Sequence, residues 1–289
     1  MANATAVQKR ILKALQNFAA DSHTLLQQQR SSGAHPTQEW TNEFDNRARL
    51  QGALAEAATA GGVPIEWVSQ ASERGAKGIG WNTNLFLRPA APIDRDGLLA
   101  RLGADWDRLA RFCGIYAAPS RFTPTEDLRP RDAVEDVIST VWRRSAQIGV
   151  LLGVDGTEAD QHWPHQGWME TATSAAAAVT RDQLARQWSE IAATDITGYA
   201  SQSIMLGRAG IRPDPRFAPP EPDAALSELE RVNTLQTAPP VPFSDAAGMR
   251  IDAAVDATGA PHAHTGDDPL MNPPTFSHRP TPPAPGVEP

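Results

Sequence analysis

The residues able to do chemistry are few and scattered. Cys113 is the one cysteine in 289 residues, so no intrachain disulfide and no cysteine-based zinc site can form. A nucleophilic thiolate needs a neighbouring base and a cleft. Cys113 instead falls beside Leu109 and Phe112 on the apolar stripe of a helical segment, where a free thiol is expected to behave as a small buried hydrophobe. His162 and His165 lie three apart in HWPHQGW. They could share a metal, but no third ligand is indicated, and Pro164 interrupts the helix that would align them. His262 and His264 stand together in PHAHTGDD near the C-terminus, a pairing expected to be incidental. Glu135-Asp136 and Asp105/Asp107 read as solvated helix faces, and no nucleophile-elbow spacing joins the serines, histidines and aspartates. Gly75, Gly78 and Gly80 follow no strand, which argues against a phosphate cradle. No catalytic residue, cofactor or metal is therefore expected, although catalytic geometry need not be local in sequence.

The most specific local pattern runs from Leu54 to Gly75, LAEAATAGGVPIEWVSQASERG. Ala58 is small enough to let two helices cross, Gly62 makes a turn, and Val63 and Val68 are placed to pack inward. With Ser69 and the closing Glu73-Arg74-Gly75, the segment resembles the helix-turn-helix of phage-repressor-type DNA-binding domains. The resemblance covers only this segment, about one tenth of the foldable chain, and departs from the family at Pro64 and Glu66. It implies that Ile65, Glu66, Ser69 and Gln70 would face the major groove. Gln70 would read an adenine edge, and Arg74 and Lys77 would contact phosphates. The same residues are also what an αα-hairpin with a Gly-Gly reversal needs, and that plainer reading is preferred.

The elements that would hold these residues are helices. Val7, Ile11, Leu15, Phe18 and Leu25 recur at helical spacing from Ala4 to about Arg30. Thr37 and Glu39 open a second helix that ends at Gly61-Gly62, and Pro64 opens a short third one, expected to end in the glycines from Gly75. Residues 81–97 read as a packed connecting loop around Leu85-Phe86-Leu87. Leu102, Trp106, Leu109, Cys113 and Tyr116 form the most regular stripe. Further helices are expected over Asp132 to Leu152, after an N-cap at Thr157, after Thr180, and from Thr194 or Asp195 to about Gly207. The fold class expected is mostly α: N-terminal helices and a helical hairpin over 1–80, then an antiparallel bundle over 98–211. Of the 8 tryptophans, Trp106 and Trp188 fall on apolar stripes. Trp40, Trp67, Trp81 and Trp168 lie near element ends, where a partner could use them.

Composition divides the chain at Arg212. Of 25 prolines, most lie beyond it, and residues 212–289 are expected to form a disordered, Pro-rich tail. A short helix from Asp223 to Leu235 is the one element foreseen there. The tail's PxxP arrangements suit polyproline II. The formal charge of -8 argues against a nucleic-acid-binding surface over the whole molecule, but residues 1–111 are nearly balanced and leave room for a local one. The arginine-over-lysine bias points to a high-GC bacterial genome. Neither a secretion signal nor a membrane span is read, so a cytoplasmic location is expected. Together these features point to a non-enzymatic helical interaction or scaffold protein with a protein partner. The alternative is a DNA-binding regulator or accessory factor using residues 54–75. Oligomeric state is left open.

Overall fold

Helix boundaries follow the side chains that satisfy free backbone groups. The computed structural model describes residues 4–83, 85–121 and 131–237. Thr5 and Gln8 form a capping box that starts α1 (Ala6–Ser31). The Thr37 hydroxyl accepts from Trp40 N–H at the start of α2 (Gln38–Ala60). Gly62, at φ 75°, turns the chain into α3 (Ile65–Ala76). Then come α4 (Arg95–Ala117), α5 (Arg131–Leu152), α6 (Gly156–His162), α7 (His165–Ala178), α8 (Arg181–Ala192), α9 (Thr197–Arg208) and α10 (Pro222–Thr237). The protein is thus mostly α, and the described residues include no strand. None of their helices is long and apolar enough to cross a membrane.

Two local expectations shift. The cap before α6 is Asp155, paired with Glu158 in a capping box, two residues ahead of Thr157. An ionised carboxylate accepts from free N–H groups at least as well as a hydroxyl does. α3 ends among the glycines as expected, at Ala76, but Gly75 lies inside its last turn, where a side-chain carbon would sit 2.3 Å from the Gln16 carbonyl and 2.5 Å from Ala19. Its role is to let α3 lie directly on α1. Gly78, at φ 73°, follows the helix end and turns the chain away.

One apolar core takes residues from both halves of the chain: Leu15, Leu54 and Val68 with Leu109, Ile138 and Leu206. α3 packs chiefly on α1, α4 on α7 and α5, and α9 on both α2 and α5. The α4–α7 crossing is as close as the α1–α3 one, since a carbon on Gly114 would lie 2.1 Å from the Ala172 carbonyl oxygen. A polar seam joins four helices beside this core. Arg144, 9% exposed, donates to Asp105 at 2.6 Å and to Gln202 at 3.0 Å, and its guanidinium lies 4.7 Å over the Tyr199 ring. Tyr199 donates its hydroxyl to the other Asp105 oxygen, and Gln202 donates to Glu56 on α2. Only the near ends of α1 and α2 join the core, since no side chain from Ala20 to Gly52 is buried.

The packed chain also runs past Arg212. Trp142 and Trp163 donate their indole N–H groups to the Pro219 and Phe217 carbonyls, and α10 buries Ala225 and Leu229. Asn233 on α10 then donates to Ala117 O at the end of α4. Prolines here interrupt helices without ending the fold, because indoles from the bundle satisfy the irregular backbone. The short helix expected from Asp223 to Leu235 is α10. The rest of the expected disordered tail, from residue 238 on, lies outside the described residues, as do His262 and His264.

Cys113 is fully buried on α4, and burial pushes its thiol up to about 12. Ellman's reagent at pH 8 is therefore expected to leave the native protein unmodified and to titrate one thiol in urea. Rapid native modification would show an opening of α4 that this packing does not allow.

Candidate functional site

The hairpin from α2 to α3 buries the residues placed inward by the sequence pattern: Ala58 at 0%, Val63 at 2% and Val68 at 3% exposure. The outward set is not held together in the same way. Ile65 is 56% exposed, Lys77 is exposed just past the helix end, and Ser69 and Arg74 are half-buried. The Arg74 Nε is buried with no hydrogen-bond partner. Gln70 does not face outward at all. It is 8% exposed, and both ends of its side-chain amide are used within the chain.

Gln70 fastens a strap. The described residues among 81–93 carry no helix, and their backbone groups need partners from elsewhere. The Gln70 side chain donates to the Phe86 carbonyl (2.9 Å) and accepts from Arg88 N–H (2.9 Å). The Trp67 indole donates to the Arg88 carbonyl at 2.8 Å. The Arg88 side chain then forks onto Glu73 at 2.5 and 3.2 Å. Hydrogen bonds from Arg88 hold the Glu73 carboxyl below the usual carboxylate range. At the other end of α3, Ile65, Glu66, Pro92 and Ile93 line a shallow hollow of about 220 Å³. The strap therefore runs along α3 from Ile79, just past its end, to Ile93 beside its first turn.

This arrangement explains what sequence reading left out. Phe86 and Ile93 show no periodicity, so nothing local marks them as part of a surface. Phe86 is placed by Gln70 and its neighbour Arg88 by Trp67, 16 and 21 residues from the carbonyls they hold, and Ile93 by the start of α4, where Arg95 N–H donates to its carbonyl. Trp67 and Trp168 are buried, at 4% and 3%, and pin backbone rather than standing out as anchors. Trp168 donates to Trp106 O at 3.0 Å. His162 ends α6 and His165 begins α7, with the His162 ring 5.9 Å from that of Trp163. Among the described residues no three His, Cys, Asp or Glu side chains gather as a metal site requires.

Loss of the Gln70 amide should free the strap locally. In Gln70→Ala, the Arg88 amide is expected to exchange with deuterium about three- to tenfold faster, from a neutral side-chain hydrogen bond worth roughly 0.5–1.5 kcal/mol. Unchanged exchange at Arg88 would mean the strap is held by something else.

Among the described residues, five large apolar side chains are exposed, and four of them lie on α3, on the strap or on the link between them: Ile65, Ile79, Phe86 at 64%, and Ile93. The fifth, Ile204, is on α9. α3 is about 18 Å long at 1.5 Å per residue: Ile65 and Ile93 share the hollow at its first turn with Glu66, Phe86 stands where Gln70 holds its carbonyl, close to the Glu73–Arg88 pair, and Ile79 lies just past the helix end. Chemically, such a face offers apolar contact with a charged rim. Compared with known proteins, the chain matches no family model, no curated protein and no solved structure.

Proposed function

We propose that the chain is a non-enzymatic docking protein that meets a protein partner through α3 and its strap. The observation that carries this reading is the concentration of exposed apolar side chains there: Ile65, Ile79, Phe86 and Ile93. Exposed apolar groups gathered on one face and rimmed by charge are the usual composition of an interaction surface. The helices behind the face keep it rigid, because Gly75 seats α3 against α1 and Gln70 and Trp67 fix the strap to α3. A preformed face loses less entropy on binding than a loop that must order.

The DNA reading draws less support from the same residues. Its adenine-reading Gln70 is committed to the strap, Glu66 and Glu73 bring negative charge to the helix, and Arg88 is paired with Glu73. Two arms test the choice. Double variant Ile65→Glu/Phe86→Glu should lose a specific co-purifying protein that Ile204→Glu retains, with matched thermal melts for all three chains. In the second arm, labelled duplex DNA titrated with the whole chain should show no salt-dependent anisotropy change. Binding at low salt that disappears in Arg74→Ala/Lys77→Ala would replace the docking reading with the DNA one.

A further inference from the structure

A second recess lies away from α3, between α4, the end of α7 and α8, with a volume of about 520 Å³. That falls within the ~300–1,000 Å³ typical of small-molecule sites. Its floor is apolar: Ile115, Val179 and Ile191 are 5–8% exposed, and half-buried Phe112 lies beside them. Two cations stand on the α4 wall. Arg108 and Arg111 are three residues apart, so they share a helix face, and the Arg108 guanidinium lies 5.1 Å over the Phe112 ring. Among the described residues neither guanidinium has a carboxylate within ion-pair distance. Across the recess α8 presents the amides of Gln183 and Gln187, and one carboxylate, Glu190.

We infer that this recess binds a small amphipathic monocarboxylate, its apolar body on Phe112, Ile115, Val179 and Ile191 and its carboxylate at Arg108 and Arg111. The charge pattern selects the class. Two guanidiniums on one wall, without an ion-pair partner among the described residues, offer fork-shaped donors to a carboxylate, and the floor gives an aliphatic chain a place out of water. Glu190 on the facing wall repels a second anionic group, so a monoanion fits better than a dianion. This site is independent of the α3 face, which lies on other helices.

Octanoate, 1-octanol and octylamine titrated calorimetrically into the full chain share one tail and differ in head-group charge. Saturable octanoate binding at one per chain is expected, with weaker octanol binding and none by octylamine. Arg108→Ala/Arg111→Ala should weaken octanoate at least about tenfold, with its thermal melt matched to the parent. Arg111→Ala alone, at an exposed position, should weaken it several-fold. The inference is overturned by no saturable octanoate heat in the millimolar range, by octanol or octylamine binding as tightly, or by full affinity in the double arginine variant.

Discussion

Asp105→Ala should lower the stability of the protein by about 3 kcal/mol, the usual scale when one partner of a buried ion pair is removed. The loss has a specific origin. Arg144 is 9% exposed, and without Asp105 its guanidinium keeps only the Gln202 oxygen and the Tyr199 face. Tyr199 loses its own acceptor at the same time. The helices affected are those the seam joins: α4, α5, α9 and, through Gln202 and Glu56, α2. For a chain of this size, that free energy corresponds to a fall in Tm of roughly 6–12 °C. The double variant Arg144→Met/Asp105→Leu should recover much of it, because two apolar groups of similar bulk leave no uncompensated charge. Urea unfolding of the two variants checks both expectations. An Asp105→Ala midpoint equal to the parent's would mean that the seam is solvated and contributes little.

Gly114→Ala is expected to destabilise by about 2 kcal/mol, whereas Gly103→Ala on the same helix should stabilise by up to about 1 kcal/mol. Both replacements remove the backbone freedom that makes glycine a poor helix residue. They differ in what the new carbon meets. At Gly103 nothing lies within 4 Å, but at Gly114 the Ala172 carbonyl oxygen is 2.1 Å away and its carbon 3.0 Å. A backbone atom cannot rotate aside as a side chain can, so α7 must move off α4, and overpacking of this kind costs about 1–3 kcal/mol. Opposite signs in thermal melts of the two variants would establish the close α4–α7 crossing. Equal effects would show that α7 has room to move.

Much of the helical layout is legible in the sequence because it rests on local chemistry. Thr37, Thr180 and the Gly61-Gly62 pair act within a few residues, and the stripe from Leu102 to Tyr116 has a single period to follow. What the sequence does not disclose is decided between distant segments. Gly75 has the appearance of a helix stop until Gln16 and Ala19 are found against it. The prolines after Arg212 suggest an end to the fold, yet Trp142 and Trp163 reach 77 and 54 residues along the chain to hold the backbone there. The candidate face follows the same rule. Ile65 on α3 and Lys77 just past its end stand exposed, as the pattern suggests. Gln70 has the spacing of an outward residue, and it turns inward only because the strap supplies a carbonyl and an amide at the right distance. Phe86 acquires its place from that bond, whereas Ile93 stands beside Asp94, the N-cap of α4, with its carbonyl accepting from Arg95 N–H.

The most direct measurement is site-specific photocrosslinking. Benzoylphenylalanine is placed at Ile65, at Phe86 or, as a control, at Ile204, and the full chain is irradiated in cells of its source. Docking through α3 and its strap requires one protease-sensitive adduct of the same mass, for the same partner, from positions 65 and 86 and not from 204. Nuclease-sensitive adducts at 65, or an identical adduct pattern from all three positions, would contradict it.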